Sequence, residues 1–183
     1  MPRQTVSPDM QKRLAANRQG RLTADQWKEL VMEPVVVILL LMVPVLFILG
    51  PRVAVLGRGL WLTGILIFVL IIVPALFRAY RYGRLPIQCA TLVAGEQTPP
   101  SWKVWKPPVL HTPSGAVIRF DKKLAPYTML ARGKSYLVYY LKDGKSYVLL
   151  SIIPADHPDA DKWQPSATFK ARAGQRTNHR APS

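Results

Sequence analysis

A single cysteine, Cys89, excludes an intramolecular disulfide and any thiolate-rich metal site. Its apolar neighbours suit a buried small hydrophobe. The three histidines, His111, His157 and His179, lie far apart and share no metal-ligand spacing. No nucleophile motif surrounds any serine, and no glycine loop of the phosphate-binding kind is present. Asp156, Asp159 and Asp161 flank His157, but their spacing fits no calcium loop. Asp121, followed by Lys122 and Lys123, reads as a solvated turn. The sequence therefore points to a non-catalytic protein with no cofactor and no metal. Acids are scarce too: ten against 25 lysines and arginines, a net charge of +15.

What the chain does have is two apolar runs. Val35–Leu49 reads VVVILLLMVPVLFIL, and Gly59–Phe77 reads GLWLTGILIFVLIIVPALF; neither holds an acid, a base or a histidine. A helix needs about 20 apolar residues to cross a hydrocarbon core. With their flanks the runs predict spans over about residues 31–50 and 59–77. The short connection 51–58 makes them an antiparallel hairpin. A cleaved signal peptide does not fit, because the first run begins too far from Met1 and no small-residue cleavage site follows it. Thr63 is the one polar side chain in the two runs, which argues against a transporter, a channel or a proton relay formed by this chain alone.

The bases lie outside the runs, so the positive-inside rule predicts a multi-pass protein of the cell inner membrane with both termini cytoplasmic. Arg78, Arg81 and Arg84 follow the second run, interleaved with Tyr80 and Tyr82. Aromatics at headgroup depth and arginines on anionic lipid make these residues a membrane-interface set, joined by Trp27 near the first run. Nucleic acid is a poorer partner for this charge, since no helix-turn-helix or RNA-binding signature gathers the bases.

The N-terminal region, 1–33, predicts two helices. Ser7 is an N-cap before Pro8, and Gly20 closes the helix. Thr23-Ala24-Asp25-Gln26 is a capping box, with Leu22 and Trp27 at staple spacing. The transmembrane hairpin occupies 34–78 in this division.

Residues 85–154 predict a small antiparallel sheet or barrel of about five strands. Residues 87–93 suit a first strand. Thr112-Pro113-Ser114-Gly115 is a hairpin turn between 109–111 and 116–120. Residues 121–132 suit a single helical turn. Asp143-Gly144 between 135–141 and 146–153 is the clearest hairpin signal. The segment 97–108, with four prolines, Trp102 and Trp105, reads as an irregular loop that seats on a surface or in a partner groove.

The last region, 155–183, has the composition of a basic extended tail, and its only large apolar side chains are Trp163 and Phe169. It should not order in isolation. Trp163 and Phe169 are then anchors, and Arg172, Arg176 and Arg180 the charges, for an acidic partner surface.

The opening Asn17-Arg18-Gln19-Gly20-Arg21-Leu22-Thr23-Ala24-Asp25-Gln26 resembles a loose group of bacterial two-span membrane proteins with a C-terminal small β-domain and no known activity. The closing part, Gly133, Tyr136-Leu137-Val138-Tyr139-Tyr140, Leu149-Leu150-Ser151 and Pro154, is similar as well. The resemblance covers about residues 14–154 and implies architecture alone.

The sequence thus predicts a membrane α+β protein, a two-helix transmembrane hairpin followed by a small antiparallel β-domain. Its expected role is a non-catalytic accessory or structural subunit of an integral membrane complex, whose cytoplasmic face it clamps with β-domain and tails. The alternative is a free membrane-anchored binding module that recruits a soluble acidic partner or nucleic acid through its basic face. Its partners on either reading include a lipid bilayer with anionic headgroups, and no small-molecule substrate is implied.

Overall fold

The computed structural model describes residues 6–32, 59–95, 108–126 and 130–171, without the side chains of 59–68 and 70–72. The chain divides into two units: Met1–Thr23 with Leu85–Ser183, and Ala24–Arg84.

In the first unit, helix α1 spans Pro8–Asn17. Ser7 Oγ accepts from the Met10 N–H at 3.3 Å, Pro8 takes the first turn, and Gly20 follows the helix at φ +72°. Met10, Arg13, Leu14 and Asn17 form its buried face, a helical stripe that is half polar. Each polar member meets a partner. Arg13 Nη1 donates to the Leu124 carbonyl and its Nε to Asp9 at 3.2 Å. Asn17 Nδ2 donates to Ser151 Oγ. A helix with a thin apolar face is thus tied by Asn17 to β6 and by Arg13 to the residue that follows β4.

The strands are β1 (Ile87–Ala94), β2 (Val109–His111), β3 (Val117–Arg119), β4 (Lys122–Lys123), β5 (Ser135–Asp143) and β6 (Ser146–Pro154). They form one sheet in the order β3-β2-β1-β5-β6-β4. Strands β5 and β6 lie at its centre and are buried on both faces over most of their length, which explains their unbroken apolar runs. Leu141, Leu149, Leu150 and Ile153 are wholly buried, each contributing about 1.5–3 kcal/mol relative to exposure. Tyr139 pairs with Ser151 and Tyr140 with Leu149, so Leu150 is the extra residue of a β-bulge. Both hairpin turns lie where Pro-Gly and Asp-Gly place them, with Gly115 at φ +84° and Gly144 at φ +63°. Only glycine takes such angles freely.

After β6 a 3-10 turn, Ala160–Trp163, leads to a short helix, α4, at 167–171. In the second unit α2 occupies 24–32, starting directly after Thr23, and α3 spans Gly59–Arg84.

Several expectations need correction. Among the described residues no helix is long and apolar enough to cross a membrane. The two-helix transmembrane hairpin, the membrane α+β class and the multi-pass inner-membrane placement with cytoplasmic termini are corrected on that finding. The first run, Val35–Leu49, lies outside the described residues. The second run does not end at Phe77; it continues in one helix through Arg78, Arg81 and Arg84. The sheet is also not wholly antiparallel, because β4 pairs parallel with β6. Residues 122–123, expected in a helical turn, form that strand. Asp121 lies exposed in a bend, as expected, and adds two bonds: its N–H donates to the Tyr147 carbonyl at 2.9 Å and its carboxylate accepts from the Tyr147 N–H at 3.1 Å.

Candidate functional site

The first unit carries an open cleft of about 440 Å³ between the end of α1 and the start of α4, lined by Ala15, Arg18, Gln19, Arg21, Ser166 and Thr168. Its two walls are joined at one atom. The Arg18 carbonyl, left without a helical partner at the α1 terminus, accepts from the Ser166 N–H at 3.0 Å and the Ser166 hydroxyl at 2.8 Å. Ser166 Oγ in turn caps α4, accepting from the Phe169 N–H at 3.3 Å, and lies 2.7 Å from Thr168 Oγ1. Among the described residues neither Arg18 nor Arg21 meets a carboxylate in an ion pair. The cleft is therefore lined by two arginines whose charge no acid among the described residues neutralises.

Tyr139 holds the second wall from below. Its hydroxyl donates to the Trp163 carbonyl at 2.6 Å, and its ring meets Phe169 edge-on at a centroid separation of 5.9 Å. Burial pushes the Tyr139 hydroxyl well above the usual phenol range, with Cys89 acting in the same direction and Arg18 against it. Burial likewise pushes the Cys89 thiol up to about 11, opposed by its hydrogen bond with Tyr139. Both groups are neutral at ordinary pH and committed to structure.

Two of the three acids beside His157 are paired within the chain. Lys162 Nζ sits 2.6 Å from Asp159 Oδ1 and holds that carboxyl below its ordinary range, Lys134 pairs with Asp156 at 3.1 Å, and His157 Nδ1 accepts from the Asp159 N–H. No group of three or more metal-ligating side chains gathers among the described residues.

The sequence-predicted residues separate into three sets. Phe169 is buried on Tyr139, and Trp163 is half-buried with its carbonyl bound by the same tyrosine. Phe169 packs on this chain's own sheet through its ring, and Trp163 is tied to it through its carbonyl. Trp102, Trp105, Arg172, Arg176 and Arg180 lie outside the described residues. The interface set is gathered in the second unit: a Cβ on Gly83 would stand 3.5 Å from Trp27 Cη2, in ordinary contact, and Arg84 stacks 3.9 Å over the Tyr80 ring. Tyr80, Arg81 and Arg84 are exposed, while Arg78 and Tyr82 are half-exposed. Sequence reasoning missed Arg18, Arg21, Ser166 and Thr168 as neighbours. One signal was present, since Pro165-Ser166 before an apolar residue at 169 is an N-cap pattern. Nothing local tells that this cap closes against a helix 148 residues earlier.

No family model, no curated protein and no solved structure matches this chain.

Proposed function

We propose that this chain is a non-catalytic binding module that docks an acidic protein segment in the cleft between α1 and α4. The observation that carries the reading is the pair Arg18 and Arg21 on one cleft, unneutralised by any described carboxylate. Guanidinium groups bind carboxylates through two parallel N–H···O bonds, stronger and more directional than those of lysine. The net charge of +15 adds long-range attraction for an acidic partner. A non-catalytic role is supported by the state of the buried reactive groups: the Cys89 thiol stays protonated and the Tyr139 hydroxyl is bound to a carbonyl. A protein segment is favoured over nucleic acid because the cleft's described lining holds no aromatic platform on which bases stack.

The test uses the full-length chain and a fluorescent oligoglutamate peptide in anisotropy titrations at two salt concentrations. The peptide is expected to bind, to weaken as salt rises, and to lose roughly tenfold in affinity in the Arg18→Gln/Arg21→Gln double variant. Unchanged binding by that variant, or tighter binding of a single-stranded oligonucleotide than of the peptide, overturns the reading.

A further inference from the structure

Among the described residues, helix α3 carries a stripe of large exposed apolar side chains. Val69, Val73, Leu76, Phe77 and Tyr80 are 45%, 56%, 63%, 63% and 59% exposed. Their spacing of four, three, one and three residues confines them to about 100° of arc, the width of one amphipathic face. Scattered exposed hydrophobes need no explanation, but a continuous row of five on one helix face marks a contact surface.

The composition of the rest of the helix decides what covers it. From Gly59 to Arg84 there is no acid, and the C-terminal turns carry Arg78, Arg81 and Arg84. Tyr80 and Tyr82 alternate with them, and Trp27 lies against the same end at Gly83. A second copy of this helix would bring like charges together at its basic end. An anionic lipid surface meets both halves of the pattern: acyl chains take the apolar row, headgroup phosphates take Arg81 and Arg84 on and beside that face, and the amphipathic Trp27 and Tyr80 rings suit the boundary between them.

We propose that the exposed face of α3 from Val69 to Arg84, with Trp27 beside it, seats on an anionic lipid surface. The contact requires no crossing of the bilayer and is independent of the cleft at Arg18 and Arg21.

Full-length protein is mixed with phosphatidylcholine vesicles with and without phosphatidylglycerol and floated on a density gradient. Flotation with the anionic vesicles is expected, with a marked drop on phosphatidylcholine alone. Leu76→Glu/Phe77→Glu should reduce flotation roughly tenfold on both vesicle types, and Arg81→Gln/Arg84→Gln, at the two arginines nearest the stripe on the helix, should reduce it on anionic vesicles only. Val117→Glu, at an equally exposed valine of β3 (61%), is expected to float like the parent. A second readout covers poor folding of the charged variant: a polarity-sensitive dye on Leu76→Cys in a Cys89→Ala background should shift to the blue on anionic vesicles. Absence of that shift, flotation unchanged by Leu76→Glu/Phe77→Glu, or a vesicle-free dimer that the same variant dissolves would each overturn the proposal.

Discussion

Asn17 and Ser151, 134 positions apart, meet in a wholly buried hydrogen bond of 2.9 Å that fastens α1 to the centre of the sheet. Ser151 pairs across the ladder with Tyr139, and Tyr139 with Cys89, so one row of side chains links the helix to three strands. The row also fixes the floor under α4, because Tyr139 holds Trp163 and Phe169.

Removing the Ser151 hydroxyl leaves the Asn17 amide without its acceptor in a place water does not reach. Ser151→Ala is expected to destabilise the first unit by about 1–3 kcal/mol, read as a lower midpoint in urea. Asn17→Leu/Ser151→Ala removes both polar groups and should recover part of that loss.

Tyr139→Phe keeps the ring packed on Phe169 and deletes only the bond to the Trp163 carbonyl. A loss of about 0.5–1.5 kcal/mol is expected. The diagnostic effect is local: amide exchange over 160–171 should accelerate more than exchange in β5 and β6.

Cys89 predicts an alkaline limit to stability. Its folded-state thiol titrates at about 11 against an ordinary value of 9.0. A raised acid pKa means that the folded state holds its proton after the unfolded chain has lost it. The contribution is full below pH 9.0 and is lost progressively as pH rises through about 11. Cys89→Ala should flatten part of the fall in urea midpoint across that window. The residual slope then belongs to Tyr139 and Tyr140, whose folded-state values are also raised, offset in part by Lys123, whose value burial lowers.

Gly144 occupies the left-handed region at φ +63° with no atom within 4 Å of a would-be Cβ. Strain in Gly144→Ala is therefore conformational, not steric crowding, and about 1–2 kcal/mol of destabilisation is expected. Gly144→Asn should lose less, since asparagine tolerates that region. Thermal melts of the three proteins give the ranking.

The determinants legible in the sequence were local. Ser7-Pro8, Thr23, Thr112-Pro113-Ser114-Gly115 and Asp143-Gly144 each specify a cap or turn within a few residues, and each lies where its chemistry predicts. The pairing of β5 with β6 follows from the last of these turns. The tetrapeptide Gly-Lys-Ser-Tyr occurs at both 133–136 and 144–147, each time with a left-handed glycine opening a strand. The repeat precedes both long strands, a signal that sequence reasoning did not use.

What only the tertiary structure decided is long-range. Hydropathy counts apolar residues along the chain but not where their helix stops, so the run ending at Phe77 gave no sign that α3 continues to Arg84 and meets Trp27 at Gly83. Lys122-Lys123 has no strand pattern of its own and becomes one because β6 offers it a parallel edge. The tail composition of 155–171 signals disorder, yet Tyr139 and Arg18 supply the ring contact and carbonyl acceptor that order it. Arg18, Arg21, Ser166 and Thr168 form one cleft for the same reason. Caps and turns are set by the dihedral preferences of adjacent residues, whereas this cleft depends on bonds between segments about 150 residues apart, and no local preference encodes those.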